Sequence, residues 1–187
     1  MARVRYVERA EASEEVRKLY EGIEGRGAKV LNLFKTLANT RALRNFMRLG
    51  VSLLEHADLE AKLRELAILR VANLAGSEYE WTQHVPIALE AGVSKKQIEE
   101  IGEWQDSSAF DEREKAVLAY TEEIAQEVRV KDETFARLRQ HLGEQEVVEL
   151  TLSIGYWGMV ARVLVPLQVE LEEDTVASAR DLLGRHR

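Results

Sequence analysis

Two side chains able to move a proton, Glu80 and His84, stand four residues apart in the stretch GSEYEWTQHVPIALEAG that runs from Gly76 to Gly92. Residues at i and i+4 of a helix are neighbours, so the carboxylate is placed to hydrogen-bond the imidazole, orient it and favour its protonated form. Such a pair suits general acid–base chemistry, with His84 as proton carrier and Glu80 as its orienter. Trp81 falls on the same face and would wall the pair from water, while Ser77 lies one turn back from Glu80. Tyr79 joins Trp81 and Ser77 among the groups expected to touch a substrate. The same spacing also describes an ordinary intrahelical ion pair on a solvated surface.

No other motif competes with this stretch. The sequence has no glycine-rich phosphate loop, no GxSxG elbow and no HExxH. The four histidines, His56, His84, His141 and His186, are scattered, and only His84 lies among aromatic and carboxylate residues. Glu65, Glu80 and His84 are chemically adequate metal ligands, but without a second histidine no metal is expected, nor is any cofactor.

Composition narrows the class further. At 187 residues the chain suits one well-buried core, a single all-α domain over 1–187. The excess of 33 Asp and Glu over 26 Lys and Arg argues against nucleic acid or an anionic membrane as partner. The absence of cysteine excludes disulfides, thiolate metal sites and thiol redox chemistry. No charged-then-apolar leader opens the sequence, and the uncharged run from Leu150 to Ala161 is too short to span a bilayer, so a soluble, cytoplasmic protein is expected.

The elements that must position the pair read almost wholly as helix, since two prolines and few Val/Ile/Thr alternations leave little room for strands. Ser13, Thr40, Asp58, Ser94, Asp111 and Asp132 mark helix starts, and the glycines between Gly22 and Gly27 mark a loop. The helix over residues 59–75 is apolar around most of its circumference and should be central. Its polar edge carries Lys62, Glu65 and Arg70, with Lys62 or Arg70 the ordinary partner for Glu65. A short break at Ala75–Gly76 makes this helix the packing neighbour of the one bearing Glu80 and His84. Glu65, Glu80 and His84 are therefore expected to reach one cavity. Pro86 should bend the second helix and Pro166 should kink the apolar segment 144–172. Gly155, Gly158 and Ala161 in that segment would permit close approach by another helix or subunit.

From Glu65 through Gly92 the chain resembles the carboxymuconolactone decarboxylase family, which includes the alkylhydroperoxidase D-like (AhpD-like) proteins. Glu65 and His84 match the glutamate and histidine of the hydroperoxidase branch, whose two cysteine positions hold Ser77 and Glu80 here. Glu80, His84 and the Ala91–Val93 turn match the Glu-x-x-x-His version of the decarboxylase branch. The resemblance implies an all-α, AhpD-like helical bundle with a core over about 28–172 and a C-terminal tail over 173–187. It also implies a homo-oligomer (dimer, trimer or hexamer) with sites near subunit contacts.

What the resemblance implies about activity must be read through the missing thiols. Ser77 cannot replace a thiolate nucleophile near neutral pH and Glu80 cannot form a disulfide, so thiol peroxidase activity is not expected. Lactone decarboxylation needs a proton delivered to carbon and a cation for the substrate carboxylate. On that reading His84, Glu80 and Glu65 are the catalytic residues and Arg70 or Arg162 is the anchor, for a small organic acid or lactone as substrate. A redox role kept without cysteine and a binding oligomer without chemistry are the alternatives.

Overall fold

Side-chain caps at Ser13, Ser94 and Asp111 set three of the helix starts. The computed structural model describes residues 1–172, which hold nine α-helices and one 3-10 turn and no strand; the tail over 173–187, with His186, lies outside the described residues. The Ser13 hydroxyl accepts the Val16 amide at 3.3 Å and opens α1 (Glu14–Glu24). After the glycine loop comes the short α2 (Asn32–Leu37). Thr40 accepts the Ala42 amide at 3.1 Å three residues ahead of Leu43, where α3 (Leu43–Glu55) begins, so the N-cap is Ala42 and not Thr40. Ser94 and Asp111 build capping boxes with Gln97 and Glu114, so α6 (Lys95–Glu100) and α7 (Glu112–Glu127) start with their free amides satisfied.

Between these lie α4 (Ala61–Ala75) and α5 (Glu78–Glu90). Gly76 joins them at φ +61°, the left-handed conformation that a residue without Cβ adopts at little cost. The last helices among the described residues are α8 (Asp132–Arg139) and the long α9 (Glu144–Leu167).

As its composition predicts, α4 is the central helix. Every residue from Leu63 to Ala72 is buried, against α5, α7 and α9. Full burial of leucines such as Leu66 and Leu69 stabilises the fold by about 1.5–3 kcal/mol each. Two cationic side chains on α4 are taken up by α7. Lys62 reaches Glu114 on α7 at 2.6 Å, and Arg70 reaches Glu122 on α7 at 2.8 Å. Neither is a partner of Glu65.

One sequence expectation is corrected by α9. Pro166 falls in its last turn, where Gln168 takes the left-handed conformation at φ 52°, so the proline marks a helix end and not a kink. The helix, counted with its few charged residues, is also long and apolar enough by length and composition to cross a membrane. Here one side of it is core, packed on α4.

The approach of α3 to α9 depends on Gly50. A Cβ at this position would stand 2.5 Å from the hydroxyl of Tyr156, which donates to the Phe46 carbonyl at 3.0 Å. Tyr156 in turn meets Trp157 edge to face, with ring centroids 4.9 Å apart. The contact between α3 and α9 thereby fixes an aromatic wall that faces α5.

Candidate functional site

Three helices meet at His84. From α4, Glu65 brings its Oε2 to 2.8 Å from the ring Nδ1. From α9, Trp157 donates its indole N–H to the ring Nε2, also at 2.8 Å. An indole nitrogen only donates, so Nε2 must accept and the ring proton sits on Nδ1, donated to Glu65. The other oxygen of Glu65 accepts from the Arg64 Nε at 3.4 Å. Glu65 is 0 % exposed, and every polar atom of its pairing with the imidazole is used. The result is a closed spine, Arg64–Glu65–His84–Trp157, in which neither ring nitrogen faces a free substrate position.

The expected pairing of Glu80 with His84 is therefore corrected. Four-residue spacing puts both on α5, but Glu65 from the neighbouring helix takes Nδ1 and Trp157 takes Nε2. Glu80 is 2 % exposed and neither of its oxygens has a hydrogen-bond partner at good geometry. Burial pushes its carboxyl up to about 8, and the Ser77 hydroxyl beside it lowers it only in part. Glu80 is accordingly a protonated carboxylic acid at neutral pH, with an O–H that nothing in the fold engages.

That acid borders a cavity of about 830 Å³. Glu80 and His84 of α5 face the aromatic wall of Tyr156 and Trp157 from α9, while α1, α2 and α3 close the remaining sides. Glu65 is behind this surface and reaches the cavity only through His84.

The other residues singled out in the sequence divide. Tyr79 lines the cavity and donates its hydroxyl to Glu172 at 2.7 Å; burial and that carboxylate raise its phenol well above the usual tyrosine range. Ser77 is buried beside Glu80 but does not line the cavity. Trp81 packs against the core and is not part of the wall, a role taken by Trp157.

Neither arginine reaches the cavity as an anchor. Arg70 is committed to Glu122, Asn73 and the Ile101 carbonyl. Arg162 donates to the Gly158 carbonyl at 2.7 Å and lines a separate cleft between α4, α7 and α9. The cations at the main cavity are Lys18, Arg26, Arg44 and Arg48, from the region of α1 and α3, which the sequence reading passed over. Trp157 was missed as well. It lies 73 residues from His84, and its one signal was an indole N–H in an apolar helix that needs a buried acceptor. Among the described residues no cluster of three or more His, Asp or Glu side chains is arranged to hold a metal ion.

Residues 40–123, which include Glu65, Glu80 and His84, match the model of the carboxymuconolactone decarboxylase family. The uncharacterized protein YdfG of Bacillus subtilis is 28% identical over 103 residues, covering 54% of this chain and 70% of that protein. An AhpD-core, peroxidase-related protein from Ralstonia eutropha JMP134 superimposes with a TM-score of 0.83 at 16% identity, covering 96% of each chain. The debrominase Bmp8 superimposes with a TM-score of 0.76 at 18% identity, over 94% of this chain and 95% of that one. At these identities the structural likeness is one of fold.

Proposed function

We propose that this chain, a cysteine-less carboxymuconolactone decarboxylase family protein on an AhpD-like fold, is an acid–base enzyme of the lyase type acting on an organic acid or lactone. The observation that carries the reading is Glu80, a residue lining a large cavity whose carboxyl is buried, unpartnered and protonated. A carboxylic acid kept neutral near pH 7 is a proton donor matched to that pH.

In the proposed step a substrate carboxylate leaves as carbon dioxide. The electron pair of the broken carbon–carbon bond enters the conjugated system of the lactone, and Glu80 transfers its proton to the resulting carbanionic carbon. Glu80 regains a proton from solvent after product leaves. A dry aromatic wall favours this course, because the dispersed charge of the transition state loses less on desolvation than the compact carboxylate. His84 is a positioning residue in this scheme. Tied to Glu65 and Trp157, it holds the α5 face rigid beside Glu80 and is no longer the proton carrier of the sequence reading.

The test is a panel of unsaturated lactone acids assayed for carbon dioxide release, wild type beside Glu80→Gln. Release by the wild type and its loss in a folded Glu80→Gln protein is the expected result. Equal release by both would remove Glu80 from the mechanism.

We also propose that the protein works as a homo-oligomer in the cytoplasm. In support, Val148, Leu152, Gly155 and Met159 of α9 alternate at four- and three-residue spacing along an exposed edge, and a Cβ at Gly155 would meet nothing within 4 Å. An apolar seam of this period suits a second helix. Sedimentation showing only monomer at micromolar concentration would overturn this.

A further inference from the structure

The large cavity is charged in a sense opposite to the protein around it. The chain carries a formal net charge of −7, yet four cationic side chains, Lys18, Arg26, Arg44 and Arg48, line the cavity against one carboxyl, Glu80, which is protonated. Lys18 and Arg44 are held by Glu14 at 2.7 Å and Glu15 at 2.8 Å. Arg26 and Arg48 have no ion-pair partner among the described residues, and both are exposed at the outer part of the cavity. Glu80, Tyr156 and Trp157 are buried at its inner part. Between the two ends the lining is apolar, with Leu31, Phe34, Met47 and Leu54 among its residues.

A compact dicarboxylate or a small lactone meets only one end of such a space. A volume of about 830 Å³ lies in the upper part of the range typical of sites for drug-sized molecules. Burial sorts this lining: exposed guanidinium groups, half-buried apolar side chains, and the buried Glu80 with its aromatic neighbours. Complementarity then calls for a ligand with an anionic end, a long apolar body and a polar reactive end.

We propose that the site takes an elongated amphipathic acid, an acyl-chain or aryl-alkyl body with one carboxylate at its end for anchoring and the reacting lactone or acid group at the other. Its carboxylate is held at the mouth by Arg48 and Arg26, its body lies on the α2–α3 and α9 side chains, and its far end reaches Glu80. This deepens the acid–base reading by taking the same cavity as the substrate site. It adds that the anchored carboxylate is distinct from any group transformed at Glu80. It also makes Arg48 and Arg26 specificity-determining residues.

Calorimetric titration tests this without turnover, using decanoate below its micellar concentration, 1-decanol and acetate. The expected result is that decanoate binds at least about ten-fold more tightly than 1-decanol and that acetate does not bind measurably, as one charge-assisted arginine–carboxylate contact implies. In the Arg26→Glu/Arg48→Glu double variant, decanoate should lose about ten-fold or more in affinity while 1-decanol is unchanged, and Arg48→Lys should retain part of the difference. Circular dichroism establishes that the surface variants are folded. Equal affinity for decanoate and 1-decanol, undiminished decanoate binding in the double variant, or no binding of decanoate would each overturn the proposal. Glu80→Gln separates the two readings. Retained decanoate binding in that variant, with carbon dioxide release unaffected, would sink the acid–base mechanism and leave the ligand class standing.

Discussion

Glu65 and Glu80 are both carboxyls buried to within 2 % of complete exclusion from water, on adjacent helices, and they solve that burial in opposite ways. Glu65 has a partner on each oxygen, His84 at 2.8 Å and Arg64 at 3.4 Å. Glu80 has none and keeps a proton instead. The contrast teaches that burial alone does not mark a catalytic acid. A buried carboxylate tied into a spine has spent its hydrogen-bonding capacity on holding helices together, whereas one left without partners beside a cavity keeps a proton to give.

The sharpest way to break this comparison is to exchange the proton-bearing group. Glu80→Gln keeps shape and removes the acid, and a decarboxylating substrate should then turn over about 10²–10⁴-fold more slowly. Glu65→Gln, by contrast, should reduce turnover only through disorder of His84, a smaller loss recognisable by an unchanged pH profile.

Stability reverses the order of the two sites. Glu65→Ala removes one partner from a buried pair and should cost about 3–5 kcal/mol in denaturant unfolding. Glu80→Gln should stabilise, and in a pH-dependent way. Folding holds the Glu80 proton up to about pH 8, whereas the unfolded carboxyl releases it near 4.5. The native state therefore bears no penalty from this group below the lower value. The penalty grows as pH rises between the two and is complete above the upper one. Unfolding free energies of wild type and Glu80→Gln should diverge across that window by a few kcal/mol, on the order of 1.4 per pH unit at most. A constant difference would mean that Glu80 is ionised in the fold.

Smaller still is the effect expected at Trp157. Trp157→Phe keeps an aromatic ring, smaller than the indole, and leaves the His84 Nε2 without its donor, a loss of about 1–2 kcal/mol for the hydrogen bond alone. It should also free the histidine tautomer, visible as a changed nitrogen shift of the imidazole in NMR. A histidine spectrum identical to wild type would contradict the spine.

Much of this was legible in the sequence for local reasons. Ser13, Ser94, Asp111 and the Gly76 break announced helix ends because caps act within a few residues. The centrality of α4 followed from its apolar circumference. The partner of His84 was misread because helical spacing gives proximity on one helix and says nothing of a competitor on the next. Glu65 stood in the right neighbourhood, but its geometry depends on how α4 and α5 cross. Arg70 and Arg162 offered the right charge but are engaged elsewhere, by Glu122 and the Gly158 carbonyl. The cationic mouth was invisible because α1 and α3 join the site only through tertiary packing.

The Tyr156 hydroxyl on the Phe46 carbonyl bridges 110 residues of chain, while the Glu65–His84 contact spans only 19. Loop-closure entropy makes the short connection the cheaper one to form. The helical hairpin of α4 and α5 is thus able to join its glutamate and histidine before α9 docks, and the aromatic wall is among the last contacts to close. Folding order therefore puts structure before site. A chain arrested short of α9 docking would carry its polar pair intact and have no cavity. Pulsed amide exchange during refolding should show protection in α4 and α5 ahead of α3 and α9.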